Sequence, residues 1–181
     1  MNMIKDLYSF LKRIFLQKRF NTEISVELVK DKAKEEVKNF FIRYVCDATS
    51  GLMTLDGKKI CNSDKHEKMN YLSNYFEQIS PLNDIWVLKN KDTIIALALV
   101  FPESKLPNLL YLMVDRNYRR KNLGLTLVKE ILKYYGSIYE KVEIQKSELR
   151  NFYEKLGFVY IGKENTAGME YLLFEYRNEF S

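Results

Sequence analysis

Residues 114–132, VDRNYRRKNLGLTLVKEIL, set four cationic side chains, Arg116, Arg119, Arg120 and Lys121, just ahead of a single glycine and then begin an amphipathic run. Leu127, Val128, Ile131, Leu132 and Tyr135 recur at three- and four-residue spacing. The segment after Asn122 therefore predicts a helix with one apolar face, closed by Gly136. A helix start leaves backbone N–H groups unpaired at the positive end of the dipole, which suits a phosphate. Gly124 lets the main chain approach a ligand because it has no Cβ, and arginine can grip phosphate through two parallel hydrogen bonds. A solvated basic turn fits the same residues. Neither G-x-x-x-x-G-K-[ST] nor G-x-G-x-x-G occurs, so the two familiar phosphate loops are excluded.

Upstream of this turn, IWVLKN (residues 85–90), KDTIIALALVF (91–101) and NLLYLMV (108–114) are rich in β-branched, aromatic and leucine residues and are separated by turn formers. They predict three consecutive strands in a meander. Earlier still, TEISVELV (22–29) alternates Ile24, Val26 and Leu28 with polar residues, the period of a half-buried strand. Asp31 can cap a helix through residues 32–45. A second helix ends with Leu72, Tyr75, Phe76 and Ile79 on one face, before Pro81. Downstream, IYEKVEIQ (138–145) reads as a strand, SELRNFYEKLG (147–157) as a short helix closed by Gly157, and FVYIGKE and MEYLLFEY as two final strands. This order predicts an α/β (α+β) domain, a mixed sheet with helices on both faces.

Residues 3–20 put Ile4, Leu7, Tyr8, Leu11, Ile14 and Phe15 on one stripe, an amphipathic helix for packing on its own domain, docking a partner or lying on an anionic membrane. Lys5, Asp6, Lys12 and Arg13 interrupt the apolar core that a signal peptide needs, so a cytoplasmic location is expected. The chain has 181 residues, enough for one substantial core, which we divide into the helical extension 1–21 and a domain over 22–181. Twenty-nine basic residues against 24 acidic ones favour anionic partners. Cys46 and Cys61 are too few for a disulfide framework or a zinc site and read as two reduced thiols. With His66 the single histidine, no histidine-rich metal site is expected.

The segment YLMVDRNYRRKNLGLTLV together with NFYEKLGFVYIG (151–162) resembles the GCN5-related N-acetyltransferase (GNAT) family. That family's loop Arg/Gln-x-x-Gly-x-Gly/Ala cradles the pyrophosphate of acetyl-coenzyme A. Arg119 matches the Arg/Gln, Asn122 stands at the first glycine and Gly124 at the second. Asparagine is the non-glycine residue that best tolerates positive φ, so the loop can keep its bend. Lys146 and Leu149 replace the Asn and Ala common in relatives. The resemblance covers residues 22–176 and implies a mixed, mostly antiparallel sheet of about seven strands.

It also implies an acyl-coenzyme A cosubstrate, without metal. Leu112, Met113 and Val114 would run beside the pantetheine, with Leu112 and Val114 lending main-chain groups. Arg119, Arg120, Lys121, Asn122, Leu123, Gly124, Leu125 and Thr126 would form the cradle. Tyr153 would be the general acid that protonates the departing thiolate. Where some relatives carry a glutamate base, this chain has Asn108, which cannot serve; Glu143, His66 or a water chain are the alternatives. The implied reaction moves an acetyl or other short acyl group to a primary amine, whose class stays open and includes aminoacyl-tRNA. The other reading is a non-catalytic module of this fold that binds acyl-coenzyme A or nucleic acid. Acceptor recognition is expected within residues 46–80, and a homodimer is left open.

Overall fold

The computed structural model describes residues 23–30, 35–49, 51–52, 58–103, 106–166 and 168–178. In chain order its elements are β1 (Ile24–Leu28), α1 (Glu35–Ala48), α2 (Lys65–Ile79), β2 (Asp84–Asn90), β3 (Thr93–Phe101), β4 (Asn108–Val114), α3 (Leu123–Tyr135), β5 (Ser137–Glu143), α4 (Arg150–Lys155), β6 (Val159–Thr166) and β7 (Met169–Arg177). The helix expected over residues 3–20 and the Asp31 cap lie outside the described residues.

Seven strands form one sheet in the order β1-β2-β3-β4-β5-β7-β6. Every neighbouring pair is antiparallel except β4 with β5. That pair is parallel because α3 carries the chain back across the sheet between them, as a parallel connection requires. β3 lies at the heart of the sheet. Its interior residues are buried from Ile94 to Val100, as a strand covered on both faces must be. On one face Trp86, Leu88, Ala96 and Ala98 pack against Leu127, Val128 and Ile131 of α3, with Tyr153 and Phe174 in the same cluster. On the other, Ile85, Val87, Leu97 and Leu99 pack with Val37, Phe41 and Val45 of α1 and with Leu72 and Phe76 of α2.

Of two clear caps, Gly136 was expected and Asp64 was not. Asp64 accepts from the backbone N–H groups of His66 and Glu67 at 2.9 and 3.0 Å and starts α2. Gly136, at φ 74°, ends α3 with its N–H on Leu132 O. The helix around Tyr153 is shorter than its pattern suggests. Residues 144–149 coil as 3₁₀ turns, broken at Lys146 (φ −113°, ψ 31°), and the α-helix itself is Arg150–Lys155.

The reduced-thiol expectation is overturned: Cys46 and Cys61 form a disulfide. The last turn of α1 and the 3₁₀ turn Ile60–Asn62 pack so that the two Cα atoms lie 5.5 Å apart. Fully buried Ile60, whose N–H reaches Leu52 O, pins that turn against the α1 cluster. A gap of 15 residues in sequence carries no sign of this proximity.

Leu97 is 0% exposed at the centre of β3. Leu97→Ala should lower unfolding free energy by about 2–5 kcal/mol, the usual result of an unfilled core site. Urea denaturation checks this, and a loss below roughly 1 kcal/mol would contradict the central place given to β3.

Candidate active site

β4 and β5 pair at Asn108↔Tyr139 and Leu109↔Glu140, and the register ends there. Tyr139 N–H also reaches Pro107 O at 2.8 Å. On its other side β4 stays paired with β3, but with a bulge. Leu99 faces Tyr111 and Val100 faces Leu109, so Leu110 has no opposite residue. A bulge adds local twist and bends its strand. It falls where β4 leaves β5, and Leu110 emerges 39% exposed. Beyond it the two strands diverge.

The Asp115 N–H goes to Ile95 O on β3. Strand groups alternate in direction, so Val114 and Leu112 turn their N–H and C=O groups to the open side. Arg119 Nε already occupies Val114 O at 3.0 Å. The remaining edge is an unpaired strand edge of the kind that takes up an extended ligand by main-chain hydrogen bonds. It lines a cleft of about 570 Å³, within the ~300–1,000 Å³ usual for small-molecule sites.

The basic turn closes the wide end of the cleft. Asn122 adopts φ 61°, ψ 16°, the left-handed conformation expected of it. Arg120 shares positive φ at 60°, which the sequence did not signal. The first helical bond is Thr126 N–H to Asn122 O at 2.9 Å, so the N–H groups of Leu123, Gly124 and Leu125 have no carbonyl a turn earlier to accept them. A Cβ on Gly124 would stand 3.4 Å from Val114 Cγ2 and 3.7 Å from Leu112 Cδ2 and Phe152 Cζ. The glycine is therefore packed directly beside the open edge of β4.

The charges are arranged differently from a uniformly cationic mouth. Asp47, at the end of α1, accepts from Arg116 Nε at 3.0 Å and Nη2 at 2.8 Å and from Arg119 Nη2 at 2.5 Å. Arg116 and Arg119 thus brace the loop. Arg120 lines the cleft, while Lys121 lies outside its lining with Nζ 5.0 Å from the Tyr118 ring centre. Thr126 also stays outside, its hydroxyl turned back to Asn122 O. Leu112, Met113, Val114, Leu123 and Leu125 all contribute to the lining, although Leu123 and Met113 are buried core residues.

Two carboxylic acids stand on opposite faces of β5. Glu143, 6% exposed, accepts from the Thr49 hydroxyl beyond α1. Glu140, also 6% exposed, shares a hydrogen bond with the Tyr153 hydroxyl, on the face covered by α3. Burial pushes both Glu140 and Tyr153 well above their ordinary values. Lys146 bonds Asp47 O at 2.7 Å, and burial pushes its ammonium down. His66 lies exposed on α2, its ring 3.2 Å from Asn70 Nδ2, away from the cleft lining. Among the described residues no cluster of three or more His, Cys, Asp or Glu side chains could hold a metal.

Glu140 and Asp47 escaped the sequence reading. Glu140 had left a sign, since it occupies the apolar parity between Ile138 and Val142. Asp47 had none, because its partners lie some 70 residues away.

The geometry is that of an α/β domain whose mixed sheet parts beside a helix N-terminus. Residues 81–160, which hold both the basic turn and the Tyr153 helix, match the model of the acetyltransferase (GNAT) domain. Solved structures agree in fold. The PaiA N-acetyltransferase of Thermoplasma acidophilum, in complex with coenzyme A, is 18% identical at TM-score 0.59, covering 86% of this chain and 99% of that one. A GNAT family acetyltransferase from Elizabethkingia anophelis with acetyl-CoA bound is 11% identical at TM-score 0.60, over 85% and 97%. The ribosomal-protein-S18-alanine N-acetyltransferase of Escherichia coli is 14% identical at TM-score 0.59, over 88% and 96%. No curated protein matches this chain.

Hydrogen bonds from Arg116 hold the Asp47 carboxyl down, from an ordinary 3.8 to about 2. A depressed acid stabilises the fold fully above its unfolded value and loses that contribution as pH falls through the folded one. The clamp should therefore be complete at pH 5 and fail towards about pH 2. A carbon-13 carboxyl titration checks it: a midpoint for Asp47 near 3.8 would mean that the clamp does not form in solution.

Proposed function

We propose that the protein is an N-acyltransferase that moves an acetyl or other short acyl group from acyl-coenzyme A to a primary amine. The open β4 edge leading to a helix N-terminus is the observation that carries this reading. A pantetheine arm is an extended chain with amide groups, and it fits beside residues 110–114 as a further strand. Its pyrophosphate then falls at the N–H groups of Leu123, Gly124 and Leu125, with Arg120 nearby. Arg119 serves in this reading as the brace that shapes the loop, since its guanidinium is engaged by Asp47 and Val114.

The amine must lose a proton before it attacks, because an alkylamine with pKa about 10.4 is almost wholly protonated at neutral pH. Glu143 is the base we assign. It lines the cleft from the side of α1, where a cationic acceptor meets a buried carboxyl, whereas His66 lies elsewhere. Attack on the thioester carbon forms a tetrahedral oxyanion, and collapse breaks the carbon–sulfur bond. Tyr153, which lines the same cleft, supplies the proton to sulfur. Tyr111, Tyr171 and Met113 give the acceptor side an apolar wall.

Thiol release from acetyl-coenzyme A with a panel of primary amines tests the whole scheme. Glu143→Gln and Tyr153→Phe should each cost roughly 10²-fold in rate, the lower range for loss of general acid–base help. Acetyl-coenzyme A binding by calorimetry should survive both. Gly124→Glu should abolish that binding through bulk and like charge, and unchanged affinity in a folded Gly124→Glu protein would refute the cradle.

A further inference from the structure

Tyr153 poses a difficulty as an acid. It is 4% exposed, and its phenol is pushed well above the ordinary range by burial and by Glu140. A phenolate left in that setting would be a buried, uncompensated charge, which is costly. The proton can leave readily only if another replaces it in the same movement.

The structure holds a group suited to replace it. Glu140 reaches Tyr153 from β5, lines the same cleft, and is 94% buried by its 6% exposure. Its second oxygen, Oε2, has no hydrogen-bond partner among the described residues. Its cross-strand neighbours are Leu109 on β4 and Phe174 on β7. Among the described residues, the titratable groups that act on it are Tyr153 from α4 and, along its own strand, Tyr139. No cation is among them, so an ionised Glu140 would keep a charge with an orphaned oxygen in an apolar layer. The acid is therefore neutral at rest and carries a proton next to the phenol.

We propose that Glu140 is the proton reservoir behind Tyr153. The inference rests on the reading of Tyr153 as the acid. As the carbon–sulfur bond breaks, its electron pair stays on sulfur and takes the Tyr153 proton. The Glu140 O–H bond breaks in turn, its proton restores the Tyr153 hydroxyl, and the carboxylate left behind is reprotonated from solvent once the thiol departs. Of the two acids the carboxyl is intrinsically the stronger by several pK units, so this relay runs downhill from Glu140 to a nascent phenolate. Glu140 is thus a positioning and proton-supplying residue that acts through Tyr153.

Hydroxylamine, uncharged at neutral pH, serves as the nucleophilic probe because it bypasses the base. With acetyl-coenzyme A as donor, Glu140→Gln should retain wild-type cofactor affinity and lose on the order of 10²-fold in kcat. Wild-type kcat should fall at alkaline pH as Glu140 ionises, and the glutamine variant should lack that limb. The infrared carbonyl band of a neutral carboxylic acid at pH 7 should be present in wild type and missing from Glu140→Gln. If Glu140→Gln does not fold, Glu140→Asp should shift the band and keep the alkaline limb at lower kcat. A slow Tyr153→Phe beside a Glu140→Gln of wild-type rate and pH profile overturns the reservoir and spares the acid. A Tyr153→Phe of wild-type rate overturns both, and absence of the neutral-acid band in wild type overturns the reservoir outright.

Discussion

The site depends on the loss of pairing between β4 and β5 after Leu109 and Glu140. Sheets ordinarily satisfy every interior backbone group, and an exposed strand edge inside a domain invites a partner. Here the departure has a local cause and is held from both sides. The bulge at Leu110 bends β4 while β3 keeps its pairing as far as Val114. On the far side β7 pairs with β5 along its whole length, from Ser137 to Glu143. Each parting strand is thus anchored by its outer neighbour, so the gap is built into the sheet.

The surrounding parts follow from that gap. α3 begins where β4 ends, so its N-terminal N–H groups open onto the wide end of the wedge. The loop between them is held by Asp47, a residue of α1, which joins the α1 side of the cleft to the basic turn through Arg116 and Arg119. Tyr44, one turn earlier on α1, donates to Asp115 at 2.5 Å and ties the same loop again. Cys46 lies between these two contacts and is fastened to Cys61, so the end of α1 is fixed at three successive points.

Much of this was legible beforehand, for identifiable reasons. The apolar run of residues 93–101 reads as a strand buried on both faces, and the three- and four-residue spacing after Asn122 reads as a helix; both patterns are set by burial against immediate neighbours. Asn122 could be assigned a left-handed bend because it stands at a glycine position of the loop this segment resembles, and asparagine tolerates that conformation best. The bulge at Leu110 could not be read, since nothing in NLLYLMV distinguishes a residue that faces β3 from one that faces nothing. The Asp47 clamp and the Cys46–Cys61 bond depend on tertiary approach between distant segments. Glu140 was visible as a charged residue on an apolar parity, and its meaning appears only once Tyr153 is seen to fill the layer beside it.

Amide hydrogen exchange along β4, followed by NMR with and without acetyl-coenzyme A, tests the central claim most directly. The Leu112 and Val114 amides should exchange quickly in the free protein and become protected when the cosubstrate is added, while Met113, turned towards β3, should be slow throughout. Slow exchange at Leu112 and Val114 in the free protein, or no protection on adding acetyl-coenzyme A, would contradict it.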